Sequence, residues 1–150
     1  MSNRFATAVD LAAGIRAGKM SPTDVVGATL DRIESSQSSL NAYVTICGEA
    51  ARRDAQAAAS GDPSLPLRGV PFSVKDNIET VGVRTTFGSK TLANNVSPVE
   101  AIAVKRLRAA GGVLVGKTTL PEFASTLLGE SPLTGITRNP WSLEHTSGGS

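Results

Sequence analysis

The sequence contains few of the residues from which many catalytic and metal sites are built. One cysteine, Cys47, and one histidine, His145, occur in 150 residues. A single cysteine excludes an internal disulfide and fits a reducing, intracellular compartment. A single histidine cannot form a histidine-based metal site, and any Ser-His-Asp mechanism would have to use His145. We therefore look for chemistry that depends on neither residue type.

Aromatic residues are also scarce, at 4% of the chain, so Val, Leu, Ile and Ala must build most of the core. The net charge is only +2, and no basic run with interleaved aromatics occurs, so direct nucleic-acid binding is not expected. The chain begins without a signal-like apolar segment, and no membrane-length apolar run follows. These absences, with the length, predict a single-domain cytoplasmic protein with no membrane partner.

The first sixty residues are predicted to be helical. Residues 21–24 (SPTD) place a serine N-cap before a proline, with an acid in the first turn. The apolar residues that follow recur at helical spacing: Val26, Leu30 and Ile33. A second helix is predicted over the Ala-rich residues 49–59, and Gly61 to Pro63 ends it.

A different pattern begins at Gly69. Val70, Phe72 and Val74 alternate with polar or exposed positions, which predicts a strand. Residues 97–100 (SPVE) resemble a capping box, and the helix that they predict presents Ala103, Leu107 and Ala110 on one face. Gly111 and Gly112 would end this helix, and residues 113–115 (VLV) predict a short buried strand. Strand, helix and strand in this order indicate an α/β sheet protein.

Residues 111–118 (GGVLVGKT) match the phosphate-binding pattern G-x-x-x-x-G-K-[ST]. A phosphate loop lies between a strand and a helix, whereas this segment follows a helix and contains a strand. Pro121 also stands where the phosphate-capping helix should already have begun. We therefore interpret the segment as a helix end that leads into a buried strand, with Lys117 unrelated to phosphate. Beyond Thr119, the sequence predicts loops and a short helical segment around residues 121–128.

Two features could carry chemistry: Lys75 and the terminal residues 148–150 (GGS). Lys75 ends the predicted strand and precedes Asp76 and Asn77, which could hold an amine. A lysine amine that is removed from water can act as a base near neutral pH. A Gly-Gly-Ser loop allows close backbone approach and offers a hydroxyl, as acyl chemistry requires.

These segments resemble the amidase signature family, whose lysine motif is matched by residues 69–77 (GVPFSVKDN). Further matches follow in order over more than half of the chain: residues 85–89 (TTFGS), 110–118 (AGGVLVGKT), 121–123 (PEF), 135–141 (GITRNPW) and 146–150 (TSGGS). The resemblance implies a mixed-sheet α/β fold preceded by N-terminal helices. Residues 1–150 would be the N-terminal part of one such domain, with a helical region at 1–65 and the start of the α/β core at 66–150.

The resemblance also implies a Ser–cis-Ser–Lys mechanism of amide hydrolysis that needs no cofactor. Lys75 matches the family's catalytic lysine and Ser150 its middle serine. The peptide bond before that serine, here Gly149–Ser150, is held in cis in the family. The nucleophile follows the middle serine, so the resemblance implies that this chain alone is inactive. The expected partner is a small amide substrate, and a homo-oligomer is compatible with the sequence.

Three other functions stay open at this point. The first is the glutamine-hydrolysing A subunit of a tRNA-dependent amidotransferase, which uses the same triad. The second is a non-catalytic chain that binds a partner, and the third is a nucleotide binder that uses Lys117. Around the terminal loop, Arg138 and Asn139 are expected to support the loop, Trp141 to anchor packing, and His145 to be solvated.

Overall fold

The computed structural model describes residues 6–149. The helices are α1 (Ala8–Arg16), α2 (Pro22–Leu40), α3 (Gly48–Ser60) and α4 (Ile102–Ala109). The strands are β1 (Tyr43–Ile46), β2 (Pro71–Lys75), β3 (Val113–Thr118), β4 (Glu130–Ser131), β5 (Gly135–Ile136), β6 (Arg138–Asn139) and β7 (Ser142–Thr146).

Helix α2 begins where the sequence predicts. The Ser21 hydroxyl accepts the Asp24 N–H, and Pro22 occupies the first helical position, where the missing N–H removes no helical bond. Val26, Leu30 and Ile33 are all buried, as their spacing predicts. The Ala-rich helix is confirmed as α3, and Gly61 caps its end. Local capping residues therefore mark the start of α2 and the end of α3.

Between α2 and α3, however, the structure contains a strand that the sequence does not predict. Strand β1 pairs antiparallel with β3, through Tyr43 opposite Thr118 and Ile46 opposite Gly116. The described part of the region predicted as helical at 1–65 therefore contains three helices and also one strand that the sequence does not predict. The residues of β1 are half-buried throughout and show no alternation, so the segment lacks the period-two signal of a strand.

The main sheet of residues 6–149 has the strand order β1-β3-β2. Strands β2 and β3 run parallel, and α4 lies between them in the chain, so the predicted strand–helix–strand unit is confirmed. Val113 and Val115 of β3 pack with α2 and α3, while Leu114 packs with Val74 of β2 and Val104 of α4. Successive side chains of a strand point to opposite faces, so helices cover both faces of the sheet.

The predicted capping box before α4 is wrong. The Ser97 hydroxyl bonds the N–H and C=O of Val99, two residues onward, which forms a turn and not a helix cap. Glu100 instead pairs with Arg108, at 3.2 Å, and the helix begins at Ile102. Val104 is the buried residue of α4, whereas Ala103, on the apolar face that the sequence predicts, is exposed. The predicted helix end is confirmed, because Gly111 adopts a positive φ of 92°.

The short helical segment predicted around residues 121–128 is confirmed only in part. Only a 3₁₀ turn forms at Glu122–Ala124, and within it Phe123 has a left-handed φ of 51° that α-helical continuation does not tolerate. The chain then forms two hairpins, β4–β5 and β6–β7. Among the helices described, none is long and apolar enough to cross a membrane.

A matched pair of valines tests which side of the fold carries the core. We expect Val26→Ala, at a fully buried site between α2 and β3, to lower the free energy of unfolding by about 1–3 kcal/mol. Val9→Ala on α1 is the control, because Val9 is 76% exposed and its loss leaves no cavity. Urea unfolding monitored by circular dichroism measures both. Equal effects at the two positions would contradict the assigned core.

Candidate active site

Lys75 is the last residue of β2 and lies opposite Thr118 in the parallel ladder with β3. Its side chain is half-buried. Its carbonyl accepts the N–H of Ile78, so the chain turns sharply directly after the strand. Lys75 therefore stands at the carboxyl edge of the sheet, where side chains of α/β proteins commonly meet their ligands.

The Gly-Gly-Ser loop is described as far as Gly149, and Ser150, the predicted middle serine, lies outside the described residues, as does its peptide bond to Gly149. Gly148 has a φ of 71° and Gly149 a φ of 152°, both values that favour glycine. The Thr146 hydroxyl accepts the N–H groups of Gly129 and Gly148, at 2.8 and 3.2 Å. Thr146 thus stabilises the turn at Gly148 and ties it to Gly129.

The end of β3 and the residues after it lie close to both candidate elements. Thr118 O accepts the N–H of Asp76, the residue after Lys75, at 3.0 Å. Three residues later, Pro121 Cδ lies 3.6 Å from the position that a Cβ on Gly149 would occupy. The end of β2 is therefore bonded to the end of β3, and the glycine loop lies close to Pro121, three residues later.

Asp76 does not lie free beside Lys75 but belongs to a fully buried ion pair with Lys117. The Lys117 ammonium is 3.5 Å from Asp76 Oδ1 and donates to Ile78 O and Thr85 Oγ1, both at 2.8 Å. Burial lowers the pKa of Lys117, and the Asp76 carboxylate opposes this shift. Lys117 therefore lies inside strand β3 and not in a phosphate loop, as the sequence predicts.

The loop at residues 85–89 packs closely against the same segment. Gly88, at a φ of 68°, could not carry a side chain, because a Cβ there would lie 2.7 Å from Leu120 O. The Ser89 hydroxyl donates to Glu122 Oε1 at 2.6 Å, and Phe123 N–H donates to Phe87 O at 2.8 Å. These contacts fix the TTFGS loop relative to the PEF segment.

Backbone strain is concentrated at this contact. Phe87, Phe123 and Ala124 adopt left-handed φ values of 53°, 51° and 56°. Each such conformation in a residue other than glycine costs on the order of 1–3 kcal/mol and persists only where the surroundings impose it. Strain of this kind is common at functional sites, so these residues are included in the candidate site.

Other candidate groups lie outside this arrangement. Cys47 is half-buried, and burial raises the pKa of its thiol, which disfavours the reactive thiolate. His145 is exposed on β7 and bonds the Ser142 hydroxyl at 2.8 Å. Within residues 6–149, no group of His, Cys, Asp or Glu is arranged to hold a metal ion.

The residues predicted to support the terminal loop behave differently from one another. Arg138 donates to Leu143 O at 2.8 Å, and Asn139 Oδ1 accepts the Trp141 N–H at 2.9 Å, so both support the β6–β7 hairpin. Trp141 is 92% exposed in the described part of the chain. The prediction that it anchors packing is therefore wrong for these residues, because it lies at the tip of a hairpin.

The sheet is mixed and has helices on both faces, and a half-buried lysine ends one of its parallel strands. These features define an α/β protein with a candidate lysine-based site. The family model described as Amidase matches residues 24–150, so the chain belongs to the amidase family. Its fold is that of amidase signature enzymes.

Similar proteins include amide hydrolases as well as subunits of an amidotransferase. The chain is 44% identical over 140 residues to the A subunit of glutamyl-tRNA(Gln) amidotransferase from Synechococcus sp. (strain CC9605), covering 91% of this chain and 28% of that protein. Peptide amidase from Stenotrophomonas maltophilia superposes with a TM-score of 0.88 at 32% identity, over 97% of this chain and 32% of that one.

A third similar structure is 6-aminohexanoate cyclic dimer hydrolase complexed with substrate, with a TM-score of 0.89 at 34% identity. The match covers 97% of this chain and 30% of that one. The chain thus spans about a third of the length of the proteins it matches.

Proposed function

We propose that the natural gene product containing this sequence hydrolyses carbon–nitrogen amide bonds, with Lys75 as the base and Ser150 as the middle serine of a Ser–cis-Ser–Lys triad. The position of Lys75 supports this role, because it is half-buried at the carboxyl end of β2 and lies opposite Thr118, three residues before the Pro121 that lies close to Gly149. The family match over residues 24–150 supports the reaction class.

In the proposed reaction, neutral Lys75 accepts a proton through Ser150 from a nucleophilic serine beyond these 150 residues. That serine attacks the amide carbonyl and forms an acyl-enzyme, while the proton passes to the leaving amine. Water then hydrolyses the ester bond, and the serine regains its proton. The proton of the serine leaves with the amine and a proton from water replaces it, so the net reaction consumes one water molecule and changes no oxidation state.

Two substrate classes compete within this reaction. The first is that of a free-standing amidase, which takes small carboxamides or aryl amides, in line with the peptide amidase and cyclic dimer hydrolase that share the fold. The second is glutamine, hydrolysed by one subunit of an amidotransferase, which the names of similar proteins favour. The second possibility implies a partner protein, and both imply a cytoplasmic location.

The natural gene product, purified without added partners, should release ammonia or amine from amides and form an acyl-enzyme that intact mass spectrometry detects. Turnover of small amides by the isolated protein would support the amidase, whereas glutamine-specific turnover with a co-purifying partner would support the amidotransferase. Absence of turnover and of acyl-enzyme on both glutamine and the amide panel, for folded protein with any co-purifying partner present, would contradict the proposed function.

A further inference from the structure

The buried Lys117 ammonium is held by three oxygens. It donates hydrogen bonds to Ile78 O and Thr85 Oγ1, both at 2.8 Å, and forms an ion pair with Asp76 Oδ1 at 3.5 Å. With both charges of the pair buried, this ammonium has no route to substrate through solvent. Lys117 is therefore placed as a cross-link within the protein and not as a reacting group.

This cross-link holds the turn that contains Lys75. Ile78 donates its N–H to Lys75 O at 2.9 Å, and its own carbonyl receives the Lys117 ammonium. Asp76 is anchored to β3 by its backbone N–H, which Thr118 O accepts. The turn after Lys75 is thus fixed to β3 at two points. The Asp76 N–H bonds β3 directly, and the Ile78 carbonyl is bound by the Lys117 side chain.

The second oxygen of Asp76 extends the same cross-link to the TTFGS loop. Asp76 Oδ2 accepts the Thr86 N–H at 2.9 Å and also the Thr86 hydroxyl. The Asp76 carbonyl accepts the N–H of Phe87, whose own carbonyl accepts the N–H of Phe123. Phe123 lies two residues after Pro121, whose Cδ is 3.6 Å from the position that a Cβ on Gly149 would occupy. A chain of hydrogen bonds therefore joins the turn after Lys75 to Phe123, in the segment that lies beside the glycine loop.

A well-packed apolar pair could fill the same space without the desolvation penalty of two buried charges. An apolar pair has no N–H donors, however, so it could not hold Ile78 O and Thr85 Oγ1 in place as the Lys117 ammonium does. We propose that Lys117 and Asp76 are positioning residues, whose buried ion pair sets the turn that places the Lys75 amine for proton transfer. This inference rests on the proposed function of Lys75 as the base.

The test is the double variant Asp76→Asn/Lys117→Met in the natural gene product. It removes both charges, so the stability lost in either single variant should largely return. The contacts from Lys117 to Ile78 O and Thr85 Oγ1 remain absent, however. A misplacement of about 1 Å reduces turnover by about 10²-fold. We therefore expect a melting temperature near that of the wild type, a kcat lower by about that factor and a KM changed little.

Two controls accompany the double variant in the same amide assay. Val26 is buried among apolar residues of α2, α3 and β3 and has no contact with the Lys117–Asp76 pair. Val26→Ala should therefore lower stability while its kcat matches that of the wild type. Lys117→Arg keeps the charge but changes its geometry, and a kcat loss in the folded variant would support positioning. A kcat that recovers together with the melting temperature in the double variant would overturn the inference, because the pair would then be merely structural.

Lys75→Ala separates the failure of this inference from that of the proposed function. Turnover that survives Lys75→Ala overturns both, because Lys75 would not be the base. Turnover lost in Lys75→Ala but retained within about twofold in the folded double variant overturns the positioning role alone. If the double variant does not fold, Lys117→Arg decides by the same comparison of kcat and KM.

Discussion

Lys75→Ala should reduce amide turnover by the natural gene product about 10²–10⁴-fold or more while leaving the fold largely intact. The methyl group of alanine cannot accept a proton, so the nucleophilic serine would lose its base. The half-buried position of Lys75 at a strand end indicates that the fold does not depend on its side chain. Steady-state kinetics on an amide substrate, with circular dichroism as a check on folding, measure this effect.

Two further variants sharpen this prediction. Lys75→Arg keeps a positive charge but cannot supply a neutral base, so it should be as inactive as the alanine variant. Lys19→Ala removes an exposed lysine in the turn after α1 and should retain full turnover. Activity in Lys75→Arg close to that of the wild type would mean that Lys75 contributes charge alone, and the proposed mechanism would have to be abandoned.

Asp76→Asn should lower the free energy of unfolding by about 3–5 kcal/mol, because it leaves the Lys117 ammonium buried without its counter-ion. The exposed pair of Asp31 and Arg52, at 3.8 Å, provides a matched control. Asp31→Asn should change stability by less than about 1 kcal/mol, since solvent screens that pair. Urea unfolding of both variants measures the difference.

The loss in Asp76→Asn should depend on pH in a definite direction. Burial already lowers the pKa of Lys117 from its ordinary value of 10.5, and without the carboxylate the pKa falls further. The unfolded chain then binds more protons than the folded chain between the two pKa values, so stability rises with pH in that window. The variant should be least stable below the folded pKa of Lys117 and should recover towards alkaline pH. A deficit independent of pH would contradict a buried, unpaired ammonium.

The elements that the sequence predicts correctly have local signals. Ser21 and Pro22 mark the start of α2 without help from the rest of the chain. The Gly111 turn and the apolar residues after it likewise predict the end of α4 and the start of β3. The position of Lys75 at the end of a strand follows from the alternation before it.

The elements that the sequence does not predict depend on distant partners. Strand β1 is short and forms only because β3 provides a pairing edge much later in the chain. Ser97 has the residues of a capping box, but its hydroxyl bonds Val99 instead. The phosphate-loop pattern draws attention to Lys117 for the wrong reason, since Asp76 and Thr85 meet it through tertiary contacts alone. A lysine within an otherwise apolar strand is the signal that could indicate a buried pair.

The central position of β3 has a consequence for the order in which the chain folds. During synthesis, α2 and α3 emerge early and can pack on each other through nearby contacts. Their apolar faces remain uncovered until the ribosome delivers Val113 and Val115, and β1 and β2 have no pairing partner before then. Such non-local pairing slows folding and leaves apolar surface open to aggregation. Translation through β3 is therefore the step at which the nascent chain first acquires a sheet.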